Sequence, residues 1–296
     1  MTALETPRPG GGAHRVVALA AAVALAVLLS RSPASAQQTD GYDYPSGSTP
    51  PEVAEAMLDL AGVSAADTVY DLGSGEGAIV LRAARERGAA GVGIEIDSSL
   101  VAESRRRARE AGVERKVRFV HGDFFEVALR PATVVTTYLL PGTMRRLQTH
   151  LFRELHAGTR IVSHDFDMER WPADSVTGWW GGVGGRTTLY LWVVPARVGG
   201  NWVFHAPGGD SARVWIDQNY QRLRARSVDG SGVEVREARV AGDSVRFRLS
   251  GPDGRTTVLL GTAGPTRMEG RTERGEPWRA RRDDYSDPSL VDWSVP

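Results

Sequence analysis

Early in the chain the sequence reads Val69-Tyr70-Asp71-Leu72-Gly73-Ser74-Gly75-Glu76-Gly77. A short β-prone run ends in an acidic residue, a glycine-rich turn follows, and residues 78–87 then have a helical pattern. The glycines remove Cβ atoms where the chain must turn sharply and come close to another molecule. The helix that follows directs unsatisfied backbone N–H groups to the same place. The segment therefore predicts a strand–turn–helix unit whose turn binds a ligand.

This glycine turn has two ligand-binding interpretations. The run Gly73–Ala78 matches the dinucleotide pattern G-x-G-x-x-A, and Glu95, 22 residues after its first glycine, stands where a nicotinamide-dependent oxidoreductase has a ribose-binding acid. In an S-adenosylmethionine (SAM) site, an acid two residues before the first glycine binds the cationic methionine amine, and Asp71 has that position. A pyrophosphate gains nothing from a carboxylate, so Asp71 and Gly77 favour SAM. A turn with purely structural glycines is a third interpretation.

Two more acidic residues follow runs with the pattern of buried strands. The run Gly91–Asp97 contains Glu95, and the run Val117–Phe125 contains Asp123 just beyond the expected end of its strand. Together with the glycine segment, these motifs resemble those of the class I SAM-dependent methyltransferases in both order and spacing.

This resemblance implies a Rossmann-like fold with SAM as the cofactor. Glu95 matches the acid that binds the ribose hydroxyls, and Asp123 matches the acid that accepts the adenine amino group. The cofactor-binding residues expected from the resemblance are Tyr44, Thr49, Asp71, Gly73, Gly75, Glu95, Asp123 and Phe124.

A closer resemblance covers roughly residues 42–168. The runs Tyr44-Pro45, Thr49–Val53 and Thr136–Pro141 look like those of the small bacterial and mitochondrial methyltransferases related to the ATP synthase c-subunit lysine N-methyltransferase. The resemblance implies that a protein lysine amine is the acceptor and that residues after the fourth strand hold it. The expected catalytic residues are Tyr138, Pro141 and His164.

The order of the predicted elements indicates two domains. Helices and strands alternate over residues 49–195, which predicts an α/β domain with a doubly wound parallel sheet and an edge hairpin at 175–179 and 187–194. Residues 196–296 predict a small antiparallel sandwich or barrel without a catalytic set. Its expected strands are 201–206, 212–219, 222–228, 233–239, 244–249, 255–260, 266–272 and 277–282.

All eight tryptophans lie after residue 170. We expect Trp192 and Trp215 to pack in cores. We expect Trp171, Trp179 and Trp180 to lie in loops, where they can wall a pocket.

Composition excludes several classes of protein. Hydrophobic residues make up 41% and charged residues 24% of the 296, as is ordinary for a globular protein. The 36 basic residues balance the 36 acidic ones, so nothing attracts nucleic acid electrostatically, and we expect a protein or small-molecule acceptor instead. Without cysteine the chain has no disulfide and no thiolate metal site. We interpret the run His164–Asp167 as a loop cap and expect no metal.

The N-terminus has the features of a signal peptide. A 14-residue apolar run, Val16–Leu29, precedes Ala34-Ser35-Ala36, a pattern typical of a cleavage site before Gln37. The run is short for a membrane-spanning helix. We therefore expect a signal peptide over residues 1–36, a linker over 37–48, and an exported periplasmic or secreted protein without a stable span after cleavage. Membrane anchoring by residues 16–29 is the alternative.

Three functions remain open from the sequence. The first is a SAM-dependent methyltransferase that acts on protein lysine. The second is an NAD-dependent oxidoreductase. The third is a non-enzymatic binding protein on a methyltransferase fold, in which the C-terminal β domain does the binding.

Overall fold

The computed structural model describes residues 37–39, 42–44, 47–180, 186–207 and 211–283. The predicted signal peptide lies outside these residues. Within the predicted linker, strands β1 (Gln37–Thr39) and β2 (Tyr42–Tyr44) pair antiparallel. The side chain of Tyr44 is not among those described, so its cofactor-binding role stays a prediction.

A seven-stranded sheet forms the centre of the first domain, in the order β5-β4-β3-β6-β7-β9-β8. The first five strands along the chain are parallel to one another, and β9 runs antiparallel to both β7 and β8. The doubly wound α/β prediction and its edge hairpin are confirmed. The strands are β3 (Thr68–Leu72), β4 (Ala90–Glu95), β5 (Val117–His121), β6 (Val134–Thr137), β7 (Arg160–His164), β8 (Ser175–Trp180) and β9 (Arg186–Val193).

One helix precedes the sheet and three connect its strands: α1 (Pro51–Leu60) comes before β3, and α2 (Ala78–Arg82), α3 (Ser98–Glu110) and α4 (Pro141–Glu154) follow β3, β4 and β6. Helix α2 continues as a π-helical turn over Ala83–Arg87. Proline begins α1 and α4, where its missing N–H costs no helical hydrogen bond. The Asp97 carboxylate caps α3 by accepting the Ser99 N–H at 2.8 Å. None of the described helices is long and apolar enough to cross a bilayer.

The strand order places a ligand crevice at one edge of the sheet. The chain builds outward from β3 to β4 and β5, then returns to add β6 on the other side of β3. Loops diverge at such a reversal, so a crevice opens outside the carboxyl ends of β3 and β6. Asp71, Glu95 and His164 all lie at carboxyl ends of these parallel strands.

The second domain is a closed antiparallel barrel of eight strands in sequence order. All eight strands predicted from the sequence are present, and the structure selects the barrel from the two predicted architectures. They are β10 (Gly200–His205), β11 (Ser211–Asn219), β12 (Arg222–Ser227), β13 (Glu234–Ala241), β14 (Ser244–Ser250), β15 (Thr256–Ala263), β16 (Arg267–Thr272) and β17 (Pro277–Arg282).

Side chains fill the barrel interior. Along β11 every second residue is buried, as the pleat of a strand with one face on a core requires. The rings of Phe204, Phe247 and Trp278 meet inside, with centroids 5.1–6.4 Å apart. This barrel is therefore a packed domain with its own core.

The barrel contacts the first domain on the side of the sheet where β7 begins. Gly242, in the turn between β13 and β14, lies against Gly158 and Val193. The Arg197 guanidinium donates to the Arg153 carbonyl at 3.0 Å. Val193 is registered with the first residue of β7, whereas His164 is its last residue. At about 3.3 Å per residue, these contacts lie some 13 Å from the carboxyl edge.

An aromatic stack joins the two domains as well. The Tyr220 ring, from the turn between β11 and β12, lies 4.8 Å from the Trp171 ring and nearly parallel to it. Trp171 is almost wholly buried, so the prediction that it walls a pocket is wrong. Trp192 packs in the core as predicted, but Trp215 is 36% exposed on the barrel surface, which contradicts its predicted packing role. The side chains of Trp179 and Trp180 lie outside the described part.

Candidate active site at the carboxyl edge of the sheet

The glycine turn brings bare backbone to the crevice. Gly73, Gly75 and Gly77 have φ angles of 76°, 52° and 80°, which side chains larger than hydrogen rarely adopt. A Cβ at Gly77 would lie 2.6 Å from the Phe119 ring, so this glycine also permits close packing of the turn on β5. A Cβ at Gly75 would meet no described atom within 4 Å, which leaves free space over the turn.

Glu95 supports the turn from the end of β4. Its Oε2 accepts the Gly75 N–H at 2.8 Å, and its Oε1 accepts the Asp97 N–H at 3.0 Å. Each carboxylate oxygen keeps a lone pair for a further donor. Glu95 therefore holds the turn in place and still presents two acceptor oxygens. The glycine that it binds lies 20 residues earlier in the chain.

Asp71 is a buried acid with one protein hydrogen bond. Its Oδ1 accepts the Thr136 hydroxyl at 2.7 Å, and only 4% of the residue is exposed. Burial raises the pKa of Asp71 to about 7, the Thr136 hydrogen bond opposes this increase, and the nearby charge of Glu95 adds to it. A cationic ligand beside this carboxyl would restore its charged form, so the site has the electrostatics of an ammonium-binding pocket.

The third acid lies just past the end of β5. The Oδ1 of Asp123 accepts the Phe125 N–H at 2.8 Å. Phe124, which the sequence nominated for the cofactor, is 3% exposed and belongs to the hydrophobic core. Phe125 is more accessible, and the Arg146 guanidinium lies 4.9 Å above its ring. Phe125 and Arg146 were missed because their neighbourhood depends on how α4 packs.

The predicted catalytic residues Tyr138 and His164 come together across β6 and β7. Their rings stack with centroids 4.0 Å apart. His164 is buried, and its Nδ1 and Nε2 lie 3.3 Å from the Thr49 hydroxyl and 3.0 Å from the Thr187 hydroxyl. Pro141 is the first residue of α4, three residues after Tyr138, and is exposed. Thr49, expected at the cofactor, is thus a neighbour of the acceptor-side candidate His164.

The hydrogen bonds indicate which tautomer of His164 is present. The Thr187 hydroxyl donates to Asp165 at 3.2 Å, so its oxygen is left to accept Nε2–H of the imidazole. The Thr49 hydroxyl then donates to Nδ1. Burial lowers the pKa of His164, and the charge of Asp165 opposes this decrease. Both ring nitrogens therefore have hydrogen-bond partners, and the ring lies against that of Tyr138.

Asp165 belongs to the run that the sequence analysis interpreted as a loop cap, and it organises this corner. Its φ of 61° is unusual for a residue with a side chain and costs about 1 kcal/mol or more. The strained turn lets its Oδ1 accept the Thr188 N–H at 2.8 Å. Burial raises the pKa of Tyr138, and the charge of Asp165 raises it further, so the phenol stays protonated. These partners come from β9, more than 20 residues away, which no local pattern reveals.

The hydrogen-bond acceptors of the crevice fit SAM. Its ammonium, ribose diol and adenine amine are all hydrogen-bond donors, and the crevice offers three carboxylates on successive strands. The free space over Gly75 lies beside Glu95, where the diol would lie. A dinucleotide would instead bring a pyrophosphate against the buried Asp71. Among the described residues, no group of three or more His, Asp or Glu side chains is arranged to hold a metal.

Comparisons with known proteins agree with this chemistry. Residues 71–175 match the family model of the ANTKMT methyltransferase domain. A protein-lysine N-methyltransferase from Saccharolobus islandicus is 38% identical over 148 residues, which cover 49% of this chain and 91% of that protein. The ATP synthase c-subunit lysine N-methyltransferase of Mus musculus is 33% identical, over 51% of this chain and 56% of its own length. The chain therefore spans only about half of the mouse protein.

Among solved structures, the RNA methyltransferase from Salinibacter ruber in complex with S-adenosyl-L-homocysteine is 50% identical. The match covers 50% of this chain and 93% of that chain, with a TM-score of 0.47.

The fold, the acid series and the glycine turn define a class I SAM-dependent methyltransferase. The chain belongs to the same family as the protein-lysine N-methyltransferase of Saccharolobus islandicus. The cofactor is SAM, and the NAD-dependent alternative is not favoured.

Proposed function

We propose that this methyltransferase transfers a methyl group from SAM to the ε-amine of a lysine in another protein. The observation that carries the proposal is the pairing of an aromatic wall with acids at the end of β7. Tyr138 is half-buried on His164, and Phe166 lies 6.0 Å from Tyr138 with its ring at 23°. A lysine side chain needs apolar walls for its methylene groups and hydrogen-bond acceptors for its amine. Relatives named as lysine N-methyltransferases support the same acceptor.

On the cofactor side, each residue has a separate task. Asp71 binds the ammonium of SAM, Glu95 the ribose hydroxyls, and Asp123 the adenine amine. Gly73 and Gly75 leave room for the cofactor against the backbone. When bound, SAM would supply an electrophilic methyl carbon on its sulfonium; a neutral amine would form the new N–C bond in line as the S–C bond breaks, and S-adenosylhomocysteine would leave.

On the acceptor side, the residues align an amine and help it lose a proton. The amine of free lysine has a pKa near 10.4, so it must be deprotonated before it reacts. Tyr138 remains a neutral phenol and can accept an N–H of the amine through its oxygen. His164 keeps the Tyr138 ring in place. Burial of the amine among these rings lowers its pKa and favours the reactive form.

The test combines product identification with one matched variant. Purified protein and methyl-labelled SAM are incubated with a lysate and with an envelope fraction, and labelled proteins are mapped by mass spectrometry. We expect methylated lysine, and Tyr138→Phe is expected to lower turnover while SAM affinity stays within about twofold of wild type. Label found only in RNA or small molecules, with no labelled lysine, would exclude the proposed acceptor.

We further propose that residues 1–36 direct export and are removed, and that the mature protein has a methyltransferase domain over 49–195 and a β domain over 196–296. The signal-like N-terminal pattern and the separate barrel core support these boundaries. Retention of residues 16–29 as an anchor is the competing outcome.

A further inference from the structure

The hairpin of strands β11 and β12 presents cationic and apolar side chains on one outer face of the barrel. Exposed residues alternate with less exposed ones along both strands, so the exposed set points away from the barrel core. We call six of these side chains the hairpin patch: Arg213, Trp215, Arg222, Arg224, Arg226 and Val228. From Arg222 to Val228 the patch is about 20 Å long.

The centre of the hairpin patch is apolar. Trp215 and Val228 are 36% and 43% exposed, and they are two of the four large hydrophobic residues exposed in the described part of the chain. Trp215 is registered with Arg226, and the Val228 N–H donates to the Arg213 carbonyl at 2.9 Å. Trp215 and Val228 are therefore diagonal neighbours on facing strands, about 7–8 Å apart. Together they form an apolar centre with a guanidinium beside each of them.

The charge of the hairpin patch is largely without partners. Within the described ranges, no ion pair is formed by three of its arginines: Arg222, Arg224 and Arg226. Arg213 reaches the Asp283 carboxylate only at 3.8 Å. Asp217 is registered with Arg224, yet the two side chains do not form an ion pair. The patch therefore keeps a net positive charge that the surrounding barrel does not neutralise.

The other arginines of the barrel show that this is a local feature. The whole chain has 36 basic and 36 acidic residues, so its net charge does not create the patch. On β13 and β16 exposed arginines pair with glutamates of the same strand: Arg236 with Glu234 at 2.6 Å, Arg239 with Glu237 at 2.7 Å, and Arg267 with Glu269 at 3.9 Å. The hairpin β11–β12 thus concentrates the unpaired charge on one side of the barrel.

We propose that the hairpin patch binds the surface of a lipid bilayer that contains anionic phospholipids. Tryptophan concentrates at the headgroup level of bilayers, and each arginine near an anionic surface adds attraction. Val228 lies beside Trp215 and can enter the apolar layer beneath the headgroups together with the indole ring. The binding does not depend on which acceptor the enzyme methylates.

Other occupants use the hairpin patch less well. A second copy of the chain docked by a twofold axis would place arginines against arginines. Platforms for single-stranded nucleic acid stack successive bases on several aromatic rings, whereas Trp215 is the one aromatic residue of the patch. An exposed valine also has no task on such a platform. A bilayer surface makes use of both the guanidiniums and the apolar centre.

The test is flotation of the full-length protein with vesicles of equal parts phosphatidylglycerol and phosphatidylcholine. Vesicles of phosphatidylcholine alone are the control, because they report binding by the apolar run Val16–Leu29 without a contribution from charge. We expect tighter binding to the anionic vesicles, and the difference should disappear at about 1 M salt, where the Debye length is about 3 Å. Equal binding to both kinds of vesicle at low salt would overturn the proposal.

Two triple variants separate the position of the charges from the net charge. The first neutralises the patch: Arg222→Gln, Arg224→Gln and Arg226→Gln. It should bind anionic vesicles at least about tenfold more weakly. The matched control makes the same change in net charge at arginines that are already paired: Arg236→Gln, Arg239→Gln and Arg267→Gln. It should bind within about twofold of wild type, and equal losses in both variants would contradict the proposal.

Trp215→Ala tests the apolar centre without a change in charge. It should weaken binding to anionic vesicles at least about threefold, because less apolar surface then leaves water. Unchanged binding of this variant would leave only charge attraction and would remove Trp215 and Val228 from the proposed contact.

Arginine labelling of the wild-type protein makes the test independent of the folding of the variants. Phenylglyoxal modifies accessible guanidiniums, and mass spectrometry locates the modified residues. Anionic vesicles should protect Arg224 and Arg226 and leave Arg236 and Arg239 as reactive as they are with phosphatidylcholine vesicles. Equal protection of both pairs would overturn the proposal. So would a single-stranded oligonucleotide that protects Arg224 and Arg226 when vesicles do not, since nucleic acid would then be the ligand.

Discussion

Asp71→Asn removes one buried charge and keeps the shape of the side chain. The amide oxygen can still accept the Thr136 hydroxyl that Asp71 accepts at 2.7 Å. The change therefore isolates the electrostatic role of the carboxylate. Asp217→Asn makes the same chemical change at an exposed position on β11 and is the matched control.

The expected change in the free energy of unfolding follows from the pKa of Asp71. Burial raises the pKa of Asp71 in the folded protein from 3.8 to about 7. The folded state thus holds the proton more tightly than the unfolded chain does, and stability that is present below pH 4 is lost as the pH rises through 7. At 1.36 kcal/mol per pH unit, the loss by pH 8 is about 4 kcal/mol. Asp71→Asn should abolish this part of the pH dependence.

The measurement is urea unfolding at pH 5 and pH 8 without cofactor, with hydrogen exchange of β3 reporting on the methyltransferase domain alone. The Asp71→Asn protein should be more stable than wild type at pH 8, and Asp217→Asn should match wild type at both values.

Calorimetry of the same proteins measures how the carboxylate contributes to SAM binding. Loss of the carboxylate leaves the SAM ammonium without its buried partner, which costs about 3 kcal/mol or more, and SAM affinity should fall at least about 100-fold. An Asp71→Asn protein that binds SAM like wild type, or that shows the wild-type dependence of stability on pH, would refute this account of the site.

Three further outcomes are expected. Glu95→Ala should weaken SAM binding by more than about 1 kcal/mol, because it removes the acceptor of the ribose hydroxyls and of the Gly75 N–H; unchanged calorimetry on folded protein would make Glu95 purely structural. N-terminal sequencing of protein from its native host should begin at Gln37, whereas a chain that retains residues 16–29 would be an anchored protein. A chain truncated after Pro195 should keep its SAM affinity but lose solubility, because Trp171 loses its stacking partner; lost affinity in a folded truncated chain would show that the barrel completes the cofactor site.

The parts of the fold that sequence predicted depend on local patterns. The glycine turn with Asp71, and the acid Glu95 at the end of the next strand, could be placed because each follows a short buried run. The eight barrel strands could be found because apolar residues alternate with polar ones and turns separate them. Closure into a barrel was left undecided, since it depends on β10 meeting β17, some 70 residues apart in the chain.

The parts that sequence could not predict depend on long-range packing. The pKa of Asp71 depends on burial and on Thr136, which is 65 residues away. His164 was nominated for catalysis, but two threonine hydroxyls from distant segments engage its ring nitrogens. Trp171 was predicted to wall a pocket because the residues around it are typical of a loop. The loop instead folds inward over the core.

The place where the barrel joins the sheet has an evolutionary consequence. Gly242 and Arg197 meet the first domain around Gly158 and Arg153, at the end of the sheet away from Asp71 and His164. A module attached there can be gained, exchanged or lost without any change to the residues of the candidate site. Gene fusion at this junction therefore offers a way to give an existing enzyme new partners while its reaction is inherited intact.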